Sequence, residues 1–227
     1  MKKWITTITA VFIFVIGYSQ KIAQITINGK GNADAFIIGL DENVKVYLTK
    51  DGNITKWGYD RYEGVQENYN DLLDAYVGRV EYYTQNDDEA LRGKVKYIGK
   101  TLLTYYPSYE NEILKGKLKA IGSINIHYFL AYEDAAVKGN IKTLGQQNIT
   151  WYASYENEGL RGKLKTVGTT TLAYYSSFED KAYRGKVKSI NNNIITYYSS
   201  FENYSGNFKT GRPIFTENGI KYWVRNY

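Results

Sequence analysis

The chain has no cysteine, and its 227 residues include only two prolines, one methionine and one histidine. The lack of thiols excludes a disulfide framework, thiolate nucleophiles and cysteine-ligated zinc. A lone histidine, His127, excludes a paired-histidine metal site and leaves a catalytic dyad without its partner. Long apolar runs are also missing. The one charge-free stretch, residues 4–16, falls short of the roughly 20 apolar residues that a membrane-spanning helix needs. It follows Met1-Lys2-Lys3 and leads into Gly17-Tyr18-Ser19-Gln20, so residues 1–19 read as a secretory signal peptide cut between Ser19 and Gln20. With no cysteine at that junction, a lipid anchor is excluded as well. Removing Lys2 and Lys3 lowers the formal charge from +6 to +4, too little to point to nucleic acid.

What is abundant is tyrosine, 24 residues of it, alongside Thr, Ile and Val. These residues suit pleated, half-buried surfaces, and the composition reads as all-β.

Self-similarity is strong. Gly93, Gly116, Gly139, Gly162 and Gly185 recur every 23 residues, as do Gly99, Gly122, Gly145 and Gly168 with Asn191 as the fifth. Glu110, Glu133, Glu156, Glu179 and Glu202 keep the same period. So do the aromatic doublets Tyr105-Tyr106, Tyr128-Phe129, Trp151-Tyr152, Tyr174-Tyr175 and Tyr197-Tyr198. A fixed period of this length marks a repeat architecture.

Each unit holds two strands, and alternation assigns their faces. In the first, Leu91, Gly93, Val95 and Tyr97 share one face, while Arg92, Lys94, Lys96 and Ile98 share the other. In the second, Leu103, Tyr105, Pro107 and Tyr109 share a face opposite Thr104, Tyr106 and Ser108. A three-residue loop at Gly99-Lys100-Thr101 and a four-residue loop at residues 110–113 pair Val95 with Tyr105 and Tyr105 with Leu118. The expected product is an antiparallel meander with a Leu/Val/Tyr face and a Lys/Tyr face. In this register Lys94 lies opposite Tyr106, and the repeat glycines lie beneath aromatic rings.

Ten strands at about 4.8 Å spacing make a sheet roughly 48 Å wide. The reading taken is an extended, twisted meander in which each repeat touches mainly its neighbours; a closed up-and-down barrel and a β-solenoid are the alternatives. The ends differ. Residues 20–77 hold β-like runs at 22–27, 35–40, 44–49 and 54–59 with a turn at Asp51-Gly52-Asn53, then a short helix around 70–76. The array spans 78–210, and 211–227 is a hairpin turning at Asn218-Gly219. Both ends are expected to act as caps.

The unit Leu114-Lys115-Gly116-Lys117-Leu118, followed by Gly122 and Tyr128, resembles MORN-type repeats, which are 23-residue β-hairpins. The aromatics that lead a MORN unit are mostly Leu, Val or Tyr in this chain. The resemblance implies an elongated scaffold for protein or membrane-surface contacts.

Chemistry is sparse. Gly93 and Gly99-Lys100-Thr101 have the wrong spacing for a phosphate loop and precede a strand, not a helix. The acidic turns, such as Glu110-Asn111-Glu112 and Glu133-Asp134, form a carboxylate ladder that lacks the dense Asp/Gly spacing of calcium loops and makes no cleft for acid–base work. The binding candidates are Lys94, Tyr106, Lys117, Tyr152, Lys163, Tyr175, Lys186 and Tyr198, a cation–aromatic face suited to anionic glycans or lipid head groups. The functional expectation is an exported, non-enzymatic scaffold or adhesion module of the cell envelope, using no cofactor. Its partner is a glycan, a lipid surface or another envelope protein, and not nucleic acid. An outer-membrane barrel and a polysaccharide-acting enzyme are the alternatives.

Overall fold

The structure, a computed structural model, describes residues 20–60 and 72–226. The signal-peptide reading therefore lies outside the described residues. The expected short helix around 70–76 is not there: of its residues, 72–76 are described, and they hold the short strand β5 (Leu73–Asp74) and no helical turn.

Two large sheets and a separate two-stranded ladder make up the fold of the described residues. The first begins with β1 (Lys21–Ile27), β2 (Ala33–Gly39), β3 (Val44–Leu48) and β4 (Ile54–Asp60), an antiparallel meander that continues into β5. The second is the repeat array. It runs from β6 (Val80–Tyr82) and β7 (Val95–Ile98) through β8 (Thr101–Tyr105), β9 (Leu118–Ile121), β10 (Ile124–Tyr128), β11 (Ile141–Leu144) and β12 (Gln147–Trp151). It continues with β13 (Leu164–Val167), β14 (Thr170–Tyr174), β15 (Val187–Ile190) and β16 (Asn193–Ile194). These 11 strands lie in chain order, each antiparallel to the next, and the array does not close into a barrel. A last two-stranded unit, β17 (Thr196–Tyr197) with β18 (Phe208–Thr210), extends the repeat pattern.

The C-terminal hairpin of β19 (Ile214–Glu217) and β20 (Ile220–Val224) turns at Asn218-Gly219, both residues at positive φ, as an Asn-Gly hairpin requires. It does not stack on the end of the array. β20 pairs in parallel with β1 and completes a seven-stranded sheet in the order β19-β20-β1-β2-β3-β4-β5.

That sheet lies over one face of the array. A single buried cluster runs from Ile25, Phe36 and Leu48 on one layer to Leu103, Ile126 and Leu164 on the other. Phe36 meets Trp151 edge to face at 6.1 Å, and Ile141 N–H donates to the carbonyl of Lys50. The molecule is a two-layer β-sandwich, and the terminal regions are a lid along the array, not caps at its ends. The reason is apolar area. A meander with one Val/Leu/Ile/Tyr face leaves that face wet unless a second layer covers it, and each large side chain covered contributes about 1.5–3 kcal/mol.

Local geometry departs from simple alternation in one recurring way. The hairpin at Gly99-Lys100 has two loop residues, with Ile98 opposite Thr101, not three with Ile98 opposite Leu102. In the next pairing Thr104 faces Ala120 while Tyr105 faces Leu118, so Lys119 is the extra residue of a β-bulge. The same bulge recurs at Lys96, Lys142, Lys165, Lys188 and Lys209. A bulge reverses the parity of a strand. Val95 and Ile98, three residues apart, are therefore both buried, as are Leu118 with Ile121 and Leu164 with Val167.

The repeat glycines also differ from expectation. Gly93 has no neighbour within 4 Å of a would-be Cβ, and Gly116 approaches the Ala90 carbonyl and the Lys94 stem, not a ring. Their φ angles of 75° and 73° are the reason for glycine there.

Candidate functional site: the loop edge of the array

Each repeat carries one long loop, such as residues 106–117, and all these loops emerge at the same edge. Every loop opens with a tight turn: Glu133 N–H donates to the carbonyl of Leu130, and Glu156, Glu179 and Glu202 repeat the bond. In three of the loops the glutamate side chain then closes the loop. Glu133 accepts from Leu130 N–H at 2.6 Å and from the bulge lysine Lys142 at 2.7 Å. Glu156 does the same with Ala153 and Lys165, and Glu202 with Ser199 and Lys209. The Lys209 ammonium, with the Ser199 donors, holds Glu202 down to about 2. These three carboxylates of the expected ladder thus serve their own loops.

Adjacent loops are fastened side by side. Asp88 accepts from the backbone N–H and hydroxyl of Ser108, Asp134 from those of Ser154 and Asp180 from those of Ser200. Ser177 Oγ donates to Asn157 in the same place. The clasp fails only where Ala131 stands in the serine position facing Asn111.

The Lys/Tyr candidates are committed to the fold. Tyr106, read as solvent-facing, is 7 % exposed and its hydroxyl donates to the carbonyl of Ile126. Tyr152 and Tyr175 make the same bond to Leu172 and Ile195. Lys94 does not sit over Tyr106: its Nζ lies 5.4 Å from the centre of the Tyr105 ring, while Lys119 covers Tyr106. Lys117 donates to the carbonyl of Asp51, Lys163 to that of Lys30, and Lys186 to that of Gly206. The first two bonds join the two sheets. Lys163 is buried, and desolvation brings its ammonium down to about 8. Tyr198 packs on Tyr204 under Lys209. The bulge lysines and the aromatics form regular cation–ring pairs, but they are internal ties.

One set of repeated side chains has no such tie. Tyr109, Tyr132, Tyr155, Phe178 and Phe201 stand at the third position of the tight turns, 81–95 % exposed. Alternation placed Tyr109 and Tyr155 on the apolar face. The strands end at Tyr105 and Trp151, however, and the turn points these rings outward. Turns favour Gly, Pro, Asn, Asp and Ser for backbone reasons, and an exposed aromatic there serves no folding purpose. The signal is present in the sequence as a fifth 23-residue register, hidden because alternation is carried past the ends of the strands.

Elsewhere the chemistry is thin. His127 lies exposed on β10 opposite Thr143. A cleft of about 580 Å³ at the opposite edge of the array is lined by the polar Gln20, Ser123, Gln146 and Asn218 and by the apolar Ile22, Ile124, Leu144 and Ile220, with Lys21 its one ionisable side chain among the described residues. It holds no acid–base pair.

No protein-family model matches the chain, no curated protein matches it, and no solved structure matches its fold.

Proposed function

We propose that the protein is an exported, non-catalytic binding module, and that its working surface is the row of aromatic rings on the loop edge. The observation that carries this reading is the five-fold repetition of an exposed Tyr or Phe at a turn position where folding asks for none. The loops are held in line by the Asp–Ser clasps, so the row is fixed before any ligand arrives, which lowers the ordering cost of binding. The charge-poor leader at residues 1–19 supports export, and the likeness to MORN repeats supports a scaffold role at the envelope.

Co-sedimentation with pelleted cell-envelope material tests the proposal. The mature chain, residues 20–227, should sediment with the pellet. The triple variant Tyr132→Ser/Tyr155→Ser/Phe178→Ser should stay in solution while keeping the parent's circular dichroism and melting temperature. Equal sedimentation of parent and variant would sink it.

A further inference from the structure

We infer that the row of rings takes a single chain of an uncharged, β-linked polysaccharide, laid across successive loops; this rests on the loop edge being the binding surface. Three features of the row select that ligand.

The first is spacing. Neighbouring loops are two strands apart, which puts the rings roughly 10 Å from one another, about the length of a disaccharide in an extended β-linked chain. Sugar faces present axial C–H groups to aromatic rings, so a ring at every second residue matches a polymer in which alternate units show the same face.

The second is charge. Charges on the loops nearly cancel: Glu110 and Glu112 stand against Lys115 and Lys117, Glu133 and Asp134 against Lys138, Glu156 and Glu158 against Arg161 and Lys163, and Glu179 and Asp180 against Lys181, Arg184 and Lys186. An edge without strong net charge gives polyuronates, nucleic acid and anionic bilayers no long-range attraction, and its carboxylates offer oxygen acceptors to sugar hydroxyls.

The third is discontinuity. The rings stand singly, separated by Ser108, Ser154 and Ser177 and by the acidic residues. They do not merge into the broad apolar patch that a helix or a lipid tail requires. Because sheets twist from strand to strand, the row follows a curve, which suits a soluble chain better than a flat crystalline face.

Affinity gel electrophoresis reads the outcome directly. Hydroxyethylcellulose, linear mixed-linkage β-glucan, xylan and glucomannan are cast one per gel, with polygalacturonate as the anionic comparison. At least one neutral gel should retard the mature chain, with little change between about 50 and 500 mM salt, since no long-range charge attraction is involved. Oligosaccharides of that polymer should gain on the order of tenfold in affinity when lengthened enough to span two rings. Tyr155→Ser/Phe178→Ser should remove the retardation. If no neutral gel retards the parent while its ring-dependent binding to envelope material persists, the polysaccharide assignment fails and the binding surface stands. Salt-sensitive retardation by polygalacturonate alone, ring-dependent binding to phosphatidylglycerol vesicles, or a dimer dispersed by the ring variants would each overturn it in favour of an anionic polymer, a membrane or a second copy.

Discussion

The hydroxyl of Tyr152 donates to the backbone carbonyl of Leu172, 20 residues further on, at 3.0 Å. Tyr83, Tyr106 and Tyr175 make the equivalent bond to Leu103, Ile126 and Ile195. At the Tyr128-Phe129 doublet, Phe129 has no hydroxyl to offer. In these four copies the second aromatic of the doublet is therefore a tie between consecutive repeats. Tyr106→Phe should cost about 1 kcal/mol and lower the melting temperature by about 2–4 °C. Phe129→Tyr, which restores the missing donor beside Ile149, should raise it by a similar amount. A calorimetric scan in which Phe129→Tyr is neutral and Tyr106→Phe is harmless would count against the tie.

The left-handed turn residue gives a sharper contrast. Gly145 sits at φ 61° with only Ile124 near a would-be Cβ, and the fifth copy of this position is Asn191 at φ 46°. Gly145→Asn should be tolerated within about 0.5 kcal/mol, because asparagine adopts this conformation readily. Gly145→Val should cost about 1–2 kcal/mol or more, since the strain is in the backbone and not in the space available. Denaturant midpoints for the two variants decide the matter.

Stability should rise with pH just above neutrality. Burial lowers Lys163 to about 8 in the fold, against about 10.4 when unfolded, and it also lowers Lys117 and Lys186. Between those values the unfolded chain binds more protons than the native one, so stability increases with pH. Burial raises the phenols of Tyr105, Tyr128, Tyr174 and Tyr197, so the native state keeps protons that the unfolded chain sheds above about pH 10, and stability then falls. Thermal scans should show a maximum near pH 9–10. Lys163→Met should flatten the rise between about pH 8 and 10 while leaving the alkaline fall.

The exposed rings should be irrelevant to folding. Tyr132→Ser, Tyr155→Ser and Phe178→Ser, alone or together, should change stability by no more than about 0.5 kcal/mol each. A cooperative loss on urea titration would show that the rings support the loops, and their use as a binding row would lose its premise.

Maturation is testable by mass. Gln20 is held in place, its side-chain oxygen accepting from Ser123 N–H at 3.1 Å and from Ser123 Oγ at 2.8 Å. Protein recovered after export should begin at Gln20; a start several residues away would contradict the cleavage site read between Ser19 and Gln20.

The sequence by itself determined the 23-residue period, the all-β class and the order of strands within the array. It also determined the Asn218-Gly219 hairpin and the pairing of Tyr105 with Leu118. Each of these follows from spacing along the chain, and spacing is a local property. The tertiary structure alone decided which side chains meet water. Lys119 occupies a bulge that no alternation rule anticipates, and that one extra residue turns Ile121 inward with Leu118. The apolar pairs three apart in every copy were the available clue. The layer covering the array came from residues 20–60 and 220–224, over 100 positions from some of the side chains they bury. Lys163 could be read as a solvent-facing cation until the Lys30 carbonyl arrived above it. Tyr109 could be read as core until the strand ended at Tyr105 and the turn carried its ring into solvent. Burial depends on what a distant segment brings into contact, and a repeat pattern, however regular, does not encode which segment that will be.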